Sequence, residues 1–124
     1  AREEIRFEPY NLDADYEVLI VSYGTMSRVC RTTIDALKER GVEVGMLRPQ
    51  TLFPFPLQAI REAAVKPSCK VVVSIEMSMG QMVEDVERAV QGQRPVTWYG
   101  KCGGDVPTPE EIADVVLELG KKGA

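Results

Sequence analysis

The run Lys70-Val-Val-Val-Ser-Ile-Glu76 constrains the fold more than any other part of the chain. Its consecutive β-branched residues crowd a helix and suit an extended strand, where successive side chains point to opposite faces. Apolar residues on both faces need cover on both faces, as in the central strand of a parallel sheet flanked by helices. Glu17-Val-Leu-Ile-Val-Ser-Tyr23 has the same character and stops at Gly24, so the sheet has a second doubly buried strand.

Amphipathic segments separate the strands. From Ser27 to Arg40 the apolar residues Val29, Cys30, Ile34 and Leu37 fall on one side of a helical wheel, and Gly41 is placed for a left-handed helix end. Val42 to Arg48 predicts a strand stopped by Pro49, and Gln50 to Phe55 a loop. Pro56 then fits the first turn of a short helix that turns Leu57, Ile60 and Ala64 inward. After the break at Ser78-Met-Gly80, the residues Met79, Met82, Val83, Val86 and Val90 repeat at helical spacing until Gly92, and Val96 to Tyr99 is a short strand. Thr108, with Pro109 next and Glu111 three residues on, makes a capping box for a last helix. Ile112, Val115, Val116 and Leu119 form its buried stripe, and Gly120 ends it. Strand and helix thus alternate through the chain, which predicts an α/β fold with right-handed crossovers, a mostly parallel sheet and helices on both faces. Residues 1–16 read as a linker or edge segment from a preceding domain, pinned by Phe7, Tyr10, Leu12 and Tyr16, and residues 17–124 as the domain itself.

Composition removes several classes of function. The 124 residues, 44% hydrophobic and 27% charged, suffice for one globular core without disulfide or metal staples. The formal net charge of -4, with no basic block, disfavours nucleic-acid binding. The chain contains no histidine, which removes the Ser-His-Asp and Cys-His nucleophilic devices and the usual catalytic zinc ligand. A chain of this kind is not expected to complete a reaction alone. Cys30, Cys69 and Cys102 are scattered, without a Cys-x-x-Cys pair, and read as reduced thiols of a cytoplasmic protein rather than disulfide, zinc or cluster ligands. No apolar stretch is long enough to span a membrane, and the acidic opening residues are not those of a signal peptide.

In an open parallel sheet, ligands and partners meet the loops at the carboxyl ends of the strands. Gly24-Thr25 before the first helix is either an anion cradle or a plain turn and cap, and the spacing matches no dinucleotide or P-loop motif. Gly100-Lys-Cys-Gly-Gly104 reads as a contact loop. Cys102, beside Lys101, is either a reactive thiol or an inert loop cysteine. Glu76 ends a very apolar strand and has two readings: a general acid or base raised by burial, or a carboxylate bonded to nearby backbone amides such as those of Gly80 and Gln81. The second is preferred, because the sequence places no partner acid, metal cluster or nucleophile beside it. Met77, Met79 and Met82 read as adaptable packing, and Trp98 and Tyr99 face either the core or a partner.

Four segments at these same places carry a family resemblance: Ser22-Tyr-Gly-Thr25, Leu47-Arg-Pro-Gln-Thr-Leu-Phe-Pro-Phe-Pro56, Ile75-Glu-Met-Ser-Met-Gly-Gln-Met82 and Gly103-Gly-Asp-Val-Pro-Thr-Pro-Glu-Glu-Ile112. Together, in this order, they resemble the C-terminal domain of the α subunit of 2-oxoacid:ferredoxin oxidoreductases over about residues 17 to 119. Ser78 stands where that pattern often reads Asn. The resemblance implies a transketolase C-terminal-like fold, a three-layer α/β/α sandwich with a mixed, mainly parallel sheet. It implies a parent complex that oxidatively decarboxylates a 2-oxoacid with thiamine diphosphate and magnesium, sends electrons through iron–sulfur clusters to ferredoxin and passes the acyl group to coenzyme A. The Gly-Asp-Gly cofactor motif and the cluster cysteines are missing from this chain, so the implied role is a non-catalytic domain that binds none of these groups itself. It would dock against the other domain of the α subunit, the cofactor-binding β subunit and the cluster-carrying subunit, and shape the coenzyme A or active-site entrance. Arg48, Glu76, Gln81, Gly103 and Gly104 are the candidates for that partner-facing edge. The alternatives are an independent α/β module binding a nucleotide or other anion at the Gly24 and Gly103 loops, and a regulatory interaction domain.

Overall fold

In chain order, the computed structural model contains β1 (Phe7–Tyr10), β2 (Val18–Ser22), α1 (Thr25–Glu39), β3 (Val44–Pro49), α2 (Leu57–Ala64), β4 (Val71–Glu76), α3 (Gln81–Val90), β5 (Val96–Gly100) and α4 (Pro109–Lys122). It describes residues 7–22, 24–50, 56–76, 81–100 and 107–122. The five strands form one sheet in the order β1-β3-β2-β4-β5. β3, β2, β4 and β5 are parallel, and β1 is an antiparallel edge strand with Phe7 opposite Pro49 and Tyr10 opposite Met46. This is the mixed, mainly parallel sheet expected of the sequence. Every residue of β2 and β4 is buried, because the apolar runs have helices above and below them.

Two apolar clusters fill the two layers. Val18, Ile20, Val71, Val73 and Ile75 pack with Met26, Cys30, Ile34 and Leu37 of α1 and Ile112 and Val116 of α4. Leu19, Val21 and Val72 point the other way, against Ile60 and Ala64 of α2 and Met82, Val86 and Val90 of α3. Alternation along each strand thus assigns α1 and α4 to one face and α2 and α3 to the other.

Element ends follow local chemistry, with some departures from the sequence reading. α1 starts at Thr25, two residues before Ser27, on Gly24 with φ 70°. It ends in a Schellman arrangement: the Val42 amide donates to Leu37 O at 2.9 Å, the Gly41 amide to Lys38 O at 3.0 Å, and Gly41 has φ 82°. β3 includes Pro49, which the sequence reading had as its stop, because β1 holds the backbone extended there and pairing with β2 has already ended at Leu47. Pro56 lies just before α2 rather than within its first turn. α4 continues through Gly120 to Lys122. A glycine ends a helix when it turns left-handed, and Gly120 is not among the glycines with positive φ. Val115 and Leu119 are only partly buried, so Ile112 and Val116 carry the stripe.

Tyr16 anchors the approach to β2. It is 1% exposed, its hydroxyl donates to Ala63 O at 2.7 Å, and its ring lies over Gly45, where a Cβ would come within 2.7 Å of the ring. Gly45→Ala therefore costs about 1 to 3 kcal/mol through overpacking, measurable as a lower urea midpoint with unchanged slope.

Burial pushes the Tyr16 phenol up to about 12 from 10.0 and the Cys30 thiol up to about 12 from 9.0. Both folded values exceed the unfolded ones, so the protonated forms favour folding. Their contribution is complete below pH 9 and is lost as pH rises through 12. Stability should fall across pH 9 to 12, less steeply in Tyr16→Phe, as read from denaturant midpoints; an unchanged slope in that variant contradicts the burial argument.

Candidate functional site

The carboxyl ends of the four parallel strands lie along one margin of the sheet, at Ser22, Arg48-Pro49, Glu76 and Gly100. Between β2 and β4 the chain changes face, since β2 leads into α1 and the neighbouring β4 into α3 on the other side. This is the topological switch point, where ligands of open α/β sheets bind.

Glu76 closes the β4 side of that crevice. It is 2% exposed. Oε1 accepts from the Met82 amide at 3.0 Å, and Oε2 accepts from the Met82 amide at 3.1 Å and the Val83 amide at 3.2 Å. The Ser74 hydroxyl, two residues back on the same face of β4, donates to Oε2 at 3.3 Å. The acceptor is thus a carboxylate on the first turn of α3, whose orphan amides and dipole favour a negative group. Of the two readings of Glu76, the contacts are those of the backbone-bonded carboxylate, held by the amides of Met82 and Val83; Gly80, one of the two amide donors expected from the sequence, lies outside the described residues. Gly100 faces Glu76 across the β4–β5 pair, and a Cβ there would meet Glu76 O at 2.2 Å.

The other end of the margin is built differently. Arg48 is one-third exposed and points to the α1 face, where its Nη1 lies 4.0 Å from Glu8 Oε1 on β1. Arg31 of α1 reaches the same oxygen at 4.0 Å and stacks over the Tyr10 ring at 4.6 Å from its centroid. The Tyr10 hydroxyl donates to Asp35 Oδ1, which raises the Tyr10 pKa. These groups hold β1 against α1. Arg48 and Glu76 therefore point to opposite faces, with β2 between their strands. Gln81 opens α3 next to the Glu76 contact, and its side chain lies outside the described residues, as do Gly103, Gly104 and Cys102. Sequence reasoning missed Ser74 and the β1–α1 ion cluster. Ser74, the one polar residue between Lys70 and Glu76, was the available signal.

α1 contrasts with α3. No side chain caps its first turn and no acidic residue lies in it; Ser27 donates its hydroxyl back to Gly24 O at 2.7 Å. At α4 the expected cap forms, with the Glu111 amide donating to Thr108 Oγ1 at 3.2 Å, while the Glu111 carboxylate accepts from the Tyr99 hydroxyl at 3.4 Å. Cys30 and Cys69 are buried free thiols held above their ordinary range by burial, which makes them poor nucleophiles. Among the described residues, no group of three or more Cys, Asp or Glu side chains is placed to hold a metal ion. No helix among them is long and apolar enough to cross a membrane.

The family model described as pyruvate:ferredoxin oxidoreductase core domain II matches residues 16–112. Ketoisovalerate oxidoreductase subunit VorB of Methanothermobacter thermautotrophicus is 40% identical over 116 residues, 94% of this chain and 32% of that protein. 2-Oxoglutarate synthase subunit KorA of Methanocaldococcus jannaschii is 38% identical over 115 residues, 93% of this chain and 30% of that protein. The chain thus spans about a third of the length of these relatives. Among solved structures, 2-oxoglutarate:ferredoxin oxidoreductase from Magnetococcus marinus, with 2-oxoglutarate, coenzyme A and succinyl-CoA bound, superposes with a TM-score of 0.78 at 26% identity, over 93% of this chain and 20% of that one. A split-gene transketolase shares the fold, with a TM-score of 0.72 at 17% identity over 94% of this chain and 42% of that one. The transketolase C-terminal-like fold expected from the sequence is the one found.

If the Glu76 contacts hold α3 in place, Glu76→Gln costs about 1.5 to 3 kcal/mol by setting an amide against amide donors, and Glu76→Ala costs at least as much. Denaturant unfolding of the two variants, with exchange of the Met82 and Val83 amides read by NMR, checks this. Stability within about 0.5 kcal/mol of the parent, the range of surface substitutions, contradicts it.

Proposed function

Since this chain belongs to the pyruvate:ferredoxin oxidoreductase core domain II family, we propose that it acts as a non-catalytic domain of the α subunit of a multi-subunit 2-oxoacid:ferredoxin oxidoreductase. Its work is docking and positioning: it packs against the other α-subunit domain, the cofactor-binding β subunit and the cluster-carrying subunit, and shapes the active-site or coenzyme A entrance. In the complex, thiamine diphosphate with magnesium supplies the electron sink for decarboxylation, iron–sulfur clusters pass electrons to ferredoxin and coenzyme A takes the acyl group. This chain's residues hold the margin those groups meet. Glu76 fixes the start of α3, Arg48 and Glu8 hold the β3–β1 corner, and Gln81, Gly103 and Gly104 belong to the partner-facing edge. The setting is cytoplasmic.

The observation that carries this reading is the commitment of Glu76. The buried carboxylate at the switch point is bonded to backbone amides, the arrangement of a positioning group rather than a proton-transfer group. The relatives add a second support. Proteins named for ketoisovalerate, 2-oxoglutarate and pyruvate all match the same stretch, with the pyruvate synthase subunit PorA of Methanothermobacter thermautotrophicus at 32% identity. A domain common to three oxoacids is a scaffold, and choice among oxoacids belongs to other parts of the complex.

The second reading, a free-standing module for a nucleotide or other anion, has the uncapped first turn of α1 in its favour. Calorimetry and thermal shift separate the two. The isolated chain should neither bind thiamine diphosphate nor gain melting temperature from millimolar ATP or coenzyme A, since a ligand selective for the native state raises the midpoint. Micromolar thiamine diphosphate binding contradicts the scaffold role, and a clear ATP shift favours the anion module.

A further inference from the structure

The helices do not divide the sheet evenly. On one face α1 lies over β2 and β3, joined by α4 over β2. On the other, α2 and α3 lie mainly over β2, β4 and β5. The outer pair β3 and β1 is left on that face to a loop, whose Leu12 and Tyr16 pack against the core. Beside that loop lies a cavity of about 490 Å³ bordered by Phe7, Leu12, Ala59, Ala63, Val65 and Pro67. A second hollow of about 270 Å³ continues it from Phe7 to Pro56 and Ala59. Phe7 and Val65, at 40% and 41% exposure, are two of the three exposed large hydrophobic residues among those described, and both border this groove. Gathered apolar exposure of this kind marks an interaction surface.

The charges beside the groove are already engaged. The Lys66 ammonium donates to Leu12 O and Ala14 O and lies over the Tyr16 ring, and Glu62 accepts from Gln58 at 3.3 Å. Among the described residues, no cationic group is left aimed into the groove for a phosphate, so an apolar protein surface suits it better than an anionic ligand. Two facts choose among apolar surfaces. The chain matches only about a third of its relatives' length, so most of such a subunit lies outside the matched stretch. Phe7, which opens β1, pairs with Pro49 and borders the groove, so β1 starts at the groove's lip. Covalent attachment gives that neighbour a high effective concentration at this face.

We propose that the Phe7–Val65 groove seats an apolar element of the remaining polypeptide of the α subunit, making it the intrachain docking surface of this domain. The inference rests on the functional reading above and adds to it the face and the occupant.

Hydroxyl-radical labelling of Phe7 and Val65 tests it, comparing the isolated 124-residue chain with the longer subunit that carries this sequence. Several-fold lower labelling of both residues in the longer subunit is expected, and equal labelling overturns the proposal. Sedimentation of the isolated chain should show a monomer. A dimer that Val65→Glu dissociates would assign the groove to a second copy and overturn it as well. The melting curve of Val65→Glu, substituted at an exposed position, shows whether the variant remains folded. Oxoacid turnover by the assembled subunits is scored separately. Turnover with both residues freely labelled removes the docking claim alone; protected residues without turnover support docking and remove the oxidoreductase reading.

Discussion

Two strands that are apolar on both sides dictate most of this structure. Neither β2 nor β4 can leave a face in water, so the chain must deliver helices above and below the sheet. It does so by sending α1 and α4 to one side and α2 and α3 to the other, which creates the change of direction between β2 and β4. The same requirement produces the central feature of the candidate site. Glu76 ends a fully buried strand, and an ionisable group at such a depth must find partners within the protein. The first turn of α3, with orphan amides and a positive dipole end, supplies them.

That pairing gives the crevice an unequal electrostatic character. On the β4 side, the helix terminus is neutralised by the chain's own carboxylate. On the β2 side, α1 begins on a glycine with no acidic residue in its first turn. Among the described residues, the crevice therefore has a helix end bonded to a carboxylate on one side and a helix end without an acidic first turn on the other, and the thiols of Cys30 and Cys69 are buried and held above their ordinary range. Such a surface suits the positioning role proposed above.

The doubly buried strands were legible because their residues admit no other cover, and so were helices such as Ser27 to Arg40, whose apolar stripe and following Gly41 agree. Helix ends were less legible where tertiary structure decides them. Gly120 looks like a stop in sequence but keeps a helical backbone, and Pro49 stays extended because β1 pairs with it. Tyr16 was legible as a pin of its segment, but its partners, Ala63 O and the bare face of Gly45, are distant in sequence and meet only in the folded chain. At the site, the residue type and depth of Glu76 were readable from its strand, whereas which amides donate to its carboxylate depends on where α3 begins. Arg48 was readable as a strand-end residue, but its face of the sheet was not used, and the parity of β3 sends it away from Glu76.

The central claim is that this chain positions chemistry performed elsewhere. The most direct measurement is oxoacid-dependent ferredoxin reduction by the purified chain, supplied with thiamine diphosphate, magnesium, coenzyme A and a 2-oxoacid, with and without the other subunits. The account predicts no reduction by the chain alone and reduction when the complete subunit set is present. Sustained reduction by the chain alone would contradict it.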